Sequence, residues 1–291
     1  MKEILVRKGR GTLVPYDESK VRASIEKTGA SKEAIEKVLS YVRVNLKNGM
    51  KTAEIYRMVR EQLRHDVPWA AARYSLREAI FKLGPAGFNF EKYVAAVLSA
   101  YGYKTQTPES YTGACIEHEV DVTAEKDGRT AFIEAKFRHD FSTAINIKDV
   151  LATWARFLDL VDGSNIDLCP HFDEVWIVTN AVFTDQSLAF GHCKNMKLIG
   201  WNHPKERTFA NMVDLDALYP ITVIQDLSAA ELEAFAKAGF ILCRDICQLV
   251  PQDLKNVTGL SVKRLSEIVK SCDKVVFGPK EKDEPEVDTD D

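Results

Sequence analysis

An α/β sandwich on a central mixed sheet is the fold class predicted for the middle of this chain, with a small helical module and its β-hairpin before it and a helical hairpin region after it. Three observations predict it. Residues 88–219 run helix, strands, helix, strand, helix, strand, the alternation that lays helices over a sheet. Residues 1–84 show one short hairpin and then helical spacing, and residues 220–277 show helical spacing alone. From residue 278 to 291 the composition turns to charge and proline, which predicts a disordered acidic tail.

The chain of 291 residues is long for one domain and comfortable for two or three. Its 45% hydrophobic and 28% charged content is that of an ordinary globular protein. No apolar run reaches membrane-spanning length and no signal-peptide core follows the start, so a cytoplasmic protein without membrane contact is expected. Six scattered cysteines lack a paired framework, and Cys243 and Cys247 have the spacing of a helix core. The net charge of −4 hides an asymmetry: residues 1–85 hold 18 Lys+Arg against 10 Asp+Glu, while the last 14 hold 2 against 7. A basic front end favours a polyanion or a nucleotide.

In chain order, Ile4-Leu5-Val6-Arg7-Lys8, a turn at Gly9-Arg10-Gly11 and Thr12-Leu13-Val14-Pro15 predict the hairpin. Four helices are expected next, capped by Asp17, Ser31 and Thr52 and, for the fourth, running from Pro68 to Leu83. A glycine turn among Arg7, Lys8 and Arg10 lets cations and amides approach a triphosphate, with Lys20 within reach on the first helix. Gly84 to Gly87 reads as a linker.

Phe90, Tyr93, Val94, Val97, Leu98 and Tyr101 then form one helical stripe, with Glu91 at its edge. Ala131-Phe132-Ile133 reads as a buried strand whose alternation turns Glu134 and Lys136 to the same face. Upstream, Glu119-Val120-Asp121-Val122 alternates, and Asp127-Gly128 supplies a hairpin turn that brings Asp121 beside Glu134. Two carboxylates on adjacent strands suit Mg2+ or Mn2+, and a neighbouring lysine can orient a water, which is apparatus for cutting phosphodiesters. An ordinary surface hairpin is the other reading of Glu-x-Lys taken alone. The following helix is expected to bury Ile147, Val150, Leu151, Trp154, Phe157 and Leu158, leaving Lys148, Thr153 and Arg156 on a face that meets phosphate or solvent. Strands at Glu174–Thr179 and Lys197–Trp201 flank a helix from Thr184, and Thr179-Asn180 reads as a substrate contact or a loop cap.

A helix with Phe-Glu, a strand with Asp and then Glu-x-Lys resembles the PD-(D/E)xK nuclease superfamily in its Mrr-like restriction endonuclease branch, over about residues 86 to 201. The resemblance implies Asp121 and Glu134 as metal ligands, the Ala135 carbonyl as a backbone ligand, Lys136 as the water-orienting lysine and Glu91 as a further acidic residue. His118-Glu119-Val120-Asp121 departs from the usual Gly-Asp-Gly-Gly-x-Asp, so His118 is read as a structural histidine or as a proton-transfer or DNA contact. Residues 3 to 83, through Val6-Arg7-Lys8-Gly9-Arg10, Lys20 and Tyr74-x-x-Arg77, resemble the ATP-cone, a nucleotide-binding regulatory domain, which implies ATP or dATP held by Val6, Arg7, Lys8, Arg10 and Lys20.

Near the end, Pro251 to Leu265 resembles a helix-hairpin-helix element, with Gly259 in the hairpin, Ser261 in place of a second glycine, and Lys263-Arg264 set to meet DNA phosphate. The expectation is a magnesium-dependent endonuclease acting on DNA, regulated by an adenine nucleotide and plausible as a homodimer. Its rivals are a nucleotide-responsive DNA-binding regulator without cleavage and a structure-specific junction or flap nuclease.

Overall fold

A computed structural model describes residues 4–8, 11–84, 89–107, 109–140 and 143–279. The predicted Gly9-Arg10 turn, most of the linker and the acidic tail from residue 280 therefore lie outside the described residues. Contacts divide the chain into two compact units: residues 1–76, 223–227 and 243–291 form one, and residues 77–222 and 228–242 the other.

In the first unit, β1 (Leu5–Arg7) and β2 (Leu13–Pro15) pair antiparallel, and four helices follow: α1 (Glu18–Glu26), α2 (Lys32–Asn45), α3 (Thr52–Asp66) and α4 (Pro68–Tyr74). Asp17 and Ser31 cap α1 and α2 as expected. At α3 the N-cap is Lys51, one residue before the predicted Thr52, and Glu54 reaches back to accept from the Lys51 amide at 2.8 Å. Val38, Leu39, Val42, Val59 and Leu63 are fully buried, so the helical stripes supply the core.

The predicted fourth helix is interrupted. It stops at Ser75, whose φ of −90° and ψ of 12° leave the helix and whose hydroxyl donates to the Ala71 carbonyl at 2.8 Å, and α5 (Leu76–Phe81) resumes after it. The division between the two units falls just past this break, between Leu76 and Arg77.

The last helices, α11 (Cys243–Cys247), α12 (Pro251–Thr258) and α13 (Val262–Phe277), belong to the first unit. Arg73 joins three pieces there, donating to the Thr28 carbonyl at 2.9 Å and to the Val275 and Val276 carbonyls at 2.7 and 3.0 Å. Its cation thereby meets the negative end of α13, where carbonyls lack helical partners. Cys243 and Cys272 are buried thiols, and burial pushes the Cys243 thiol well up, so both act as core side chains.

In the second unit α6 (Phe90–Ala100) precedes a five-stranded sheet in the order β3-β6-β7-β8-β9: β3 (Lys104–Gln106), β6 (Val122–Lys126), β7 (Arg129–Lys136), β8 (Glu174–Thr179) and β9 (Lys197–Ile199). The pairs β3–β6 and β6–β7 are antiparallel, β7–β8 and β8–β9 parallel, so the sheet is mixed as expected. Helices α7 (Ile147–Ser164) and α8 (Asp185–Cys193) supply the crossovers that parallel pairing requires. At the β6–β7 turn Asp127 and Gly128 both take positive φ, 53° and 73°, the pattern of a type I′ hairpin. After β9 come α9 (Phe209–Leu215) and α10 (Ala229–Lys237).

A separate two-stranded ribbon, β4 (Glu109–Thr112) with β5 (Glu117–Val120), was not foreseen. It forms because the expected single strand through Asp121 breaks there: residues up to Val120 pair with β4, and residues from Val122 pair with β7. The ribbon lies against α7 where two glycines meet, and a Cβ on Gly163 would stand 2.8 to 2.9 Å from the Gly113 backbone. Gly163→Ala is therefore expected to destabilise the protein by about 1–3 kcal/mol, the usual cost of overpacking, in denaturant unfolding. A loss below the error of the measurement would show that the ribbon shifts freely on α7.

Candidate active site

Strand alternation turns Glu134 and Lys136 to one face of β7, and the antiparallel register, with Val122 opposite Ile133, sets Asp121 across from Glu134. Asp121 is fixed there by the Ala135 amide, which donates to its Oδ2 at 2.8 Å. The hairpin thus joins the two carboxylates as the sequence predicts.

Glu134 is 4% exposed, and a carboxylate taken out of water needs compensation costing several kcal/mol otherwise. Two cations supply it. Lys136 Nζ pairs with Oε1, and Arg156 Nη1, from α7, pairs with Oε2. The other end of the same guanidinium, Nη2, donates to the Glu119 carbonyl on β5, and its plane lies over the Phe132 ring at 5.4 Å. This corrects the expected face of α7: Arg156 points into the carboxylate site, Thr153 is buried at 1% exposure, and Leu151 and Leu158 are exposed. A single helical stripe could not show it, because the polar side of α7 is drawn inward by a buried charge.

Asp121 has a different balance. Burial, and then the like charge of Glu134, push its carboxyl up to about 6, while the Ala135 amide, Lys136 and Arg156 pull the other way. The pair is therefore poised for a cation that would favour both ionised forms.

Two further residues hold this end of β7. Thr179 donates to the Lys136 carbonyl at 2.6 Å, and Asn180 accepts from the Arg138 amide at 2.8 Å and donates to the Arg138 carbonyl at 3.0 Å. Both are buried, so Thr179 and Asn180 position the strand that carries Lys136. Arg138 is itself anchored on Asp149 at 2.6 Å.

His118 has its structural reading. Its Nε2 lies 2.8 Å from Asp159 Oδ2, and Asp159 also accepts from the Cys115 and Ile116 amides at 2.8 and 3.3 Å. Partial burial pushes the Asp159 carboxyl up, but the Cys115 thiol, His118 and the two amides outweigh it and take it down to about 2. Asp159 stands three residues beyond Arg156 on α7, so successive turns of one helix grip β5 just before Asp121. No sequence pattern singled out Asp159.

Other predicted residues are placed as follows. Glu91 lies in the first turn of α6, half-buried, and is not among the side chains that pair with Asp121, Glu134 or Lys136. Lys148 is exposed in the first turn of α7. In the first unit Val6 is buried, Arg7 and Lys8 are exposed, and Lys20 pairs with Asp17 at 3.0 Å; Arg10 is outside the described residues. At the α12–α13 hairpin Gly259 takes φ 72° and Ser261 caps α13 by accepting from the Arg264 amide. Lys263 is exposed, whereas Arg264 donates to the Asp226 carbonyl at 2.6 Å and pairs with Glu267 at 3.2 Å, so it is turned back onto its own unit.

Among the described residues no three or more His, Cys, Asp or Glu side chains form a metal cluster. The candidate donor set is the carboxylates of Asp121 and Glu134 with the carbonyl of Ala135, the residue after Glu134, a hard oxygen set that fits Mg2+ or Mn2+ retaining several waters.

Residues 4–80 match the ATP cone domain family, residues 85–203 a restriction endonuclease family, and residues 219–276 the AF1548-like C-terminal family. A protein of Archaeoglobus fulgidus described as uncharacterized is 32% identical over 183 residues, which cover 63% of this chain and 99% of the relative. Among solved structures, the protein of unknown function AF1548 superposes with a TM-score of 0.56 at 30% identity, covering 69% of this chain and all of that one. No helix among the described residues is long and apolar enough to cross a membrane.

The shift on Asp121 has a pH signature. Its carboxyl titrates near 3.8 when unfolded and about 6 when folded, so between these values the folded state binds more protons and stability falls as pH rises through that window. Thermal unfolding of the metal-free protein is expected to show this fall, and Asp121→Asn to flatten it. An equal slope in the variant would assign the proton to another group.

Proposed function

We propose that this chain, which belongs to the family of AF1548 and carries an ATP cone domain before a restriction-endonuclease domain, is a metal-dependent endonuclease that hydrolyses DNA phosphodiester bonds under the control of ATP or dATP. One observation carries the reading: Asp121, Glu134 and Lys136 converge at the end of β7, the first two on neighbouring segments and the third paired with Glu134.

In this proposal Asp121, Glu134 and the Ala135 carbonyl would hold Mg2+ or Mn2+, which would supply Lewis-acid charge for the phosphoryl group and a more acidic water. Lys136 orients the attacking water and counters the charge that builds on the phosphorane-like transition state. Thr179 and Asn180 keep its strand end in register while that charge develops. Glu91 serves as an additional acidic residue beside this set. DNA is held by phosphate contacts from Lys148 on the endonuclease domain, and from the Gly259 hairpin amides and Lys263 on the C-terminal helices. Arg264 has a lesser share in that contact, since its donors are already engaged.

The nucleotide is assigned to the N-terminal hairpin, where Val6 anchors β1 in the core and Arg7, Lys8 and Arg10 offer cations to a triphosphate, with Lys20 added from α1. Nucleotide binding then sets assembly or access to the site, and two-strand cutting calls for two sites and hence a homodimer.

Plasmid cleavage with Mg2+ or Mn2+ is expected from the wild type, falling about a hundredfold or more in Glu134→Ala and Lys136→Ala, the scale of losing one transition-state contact. The rate or the solution mass is expected to change with saturating ATP or dATP. No cutting of linear, supercoiled or branched DNA with either metal, while binding persists, would instead support a nucleotide-responsive DNA-binding regulator.

A further inference from the structure

Both carboxylate oxygens of Glu134 are occupied by protein cations: Oε1 by Lys136 and Oε2 by Arg156. A metal shared with Asp121 needs one of those oxygens. Lys136 lies two residues along the same strand and keeps its place through β7, whereas Arg156 comes from another element and reaches in by a long side chain. Its guanidinium spans the site, with Nη1 on Glu134 and Nη2 on the carbonyl of Glu119, two residues before Asp121. It therefore sits against the segments that carry both carboxylates. The Glu134 side chain is 5% exposed and that of Arg156 27%, so their attraction is little screened by water.

We propose that Arg156 is an internal counter-ion that competes with the divalent metal for Glu134, so that metal entry displaces its guanidinium from Oε2. This rests on Asp121 and Glu134 being the metal ligands. Arg156 lowers the affinity of the empty site for metal and keeps Glu134 neutralised until a dication replaces it. Its contact with the Glu119 carbonyl is left intact by that exchange, so the side chain pivots about Nη2.

Calorimetric titration of the full chain with Mn2+, without nucleic acid, tests this. Arg156→Gln is expected to bind Mn2+ about tenfold tighter than wild type, a gain of about 1.4 kcal/mol, while Arg156→Lys, which keeps the positive charge, stays close to wild type. Equal or weaker binding by a folded Arg156→Gln would overturn the proposal and leave the metal site standing. Mn2+ binding that persists unchanged in Glu134→Gln, or none in wild type and Arg156→Gln alike, would overturn the metal-site reading and this proposal with it. A measurement on the wild type avoids dependence on a variant's fold: the Arg156 Nε–Hε resonance, assigned by its loss in Arg156→Lys, is expected to move on saturation with Mg2+. An unmoved resonance at saturation would overturn the displacement.

Discussion

The second unit is arranged around a carboxylate that has almost no water. Glu134 sits at the end of a central strand with 4% of its surface exposed, and an unpaired charge there would cost several kcal/mol. Lys136 arrives by strand alternation and Arg156 across the sheet from α7. Because Arg156 also holds the β5 backbone, neutralising Glu134 and setting the approach to Asp121 are one interaction. The rest of the local structure follows: α7 must lie where its guanidinium reaches both, and the ribbon must lie where its carbonyl is met.

Much of this was legible in the sequence because it depends on short-range rules. The Asp127-Gly128 turn fixes hairpin register, register fixes which residues face each other, and so Asp121 beside Glu134 follows from local chemistry. The buried stripes of α2, α3 and α6 are likewise periodic signals that tertiary packing left undisturbed. Polar residues with long-range partners were illegible for the same reason. Arg156 reads as a solvated face of α7 until Glu134 is placed behind it, and Asp159 has meaning only with the amides of Cys115 and Ile116 over it. Thr179 and Asn180 looked equally suited to substrate or to a cap, and the carbonyl of Lys136 and the backbone of Arg138 make them caps.

The helix break at Ser75 teaches the same lesson at lower cost. Nothing in Pro68 to Leu83 forbids a continuous helix by propensity, yet the hydroxyl of Ser75 takes the Ala71 carbonyl and the chain turns before Leu76. The C-terminal helices show the complementary case, since Arg73 ties the last turn of α13 to residues more than 200 positions earlier in the chain. Such contacts carry no local pattern.

The change of sheet at Asp121 gives the two carboxylates unequal mechanical freedom. Glu134 belongs to a central strand and is itself paired with Ile177 of β8, one position past the end of the β6 pairing at Ile133. Asp121 belongs to neither sheet: the ribbon ends at Val120 and the sheet begins at Val122. Asp121 is therefore held by single contacts, the Ala135 amide on its carboxylate and the grip of Arg156 and Asp159 on the strand before it, where Glu134 is held by a ladder.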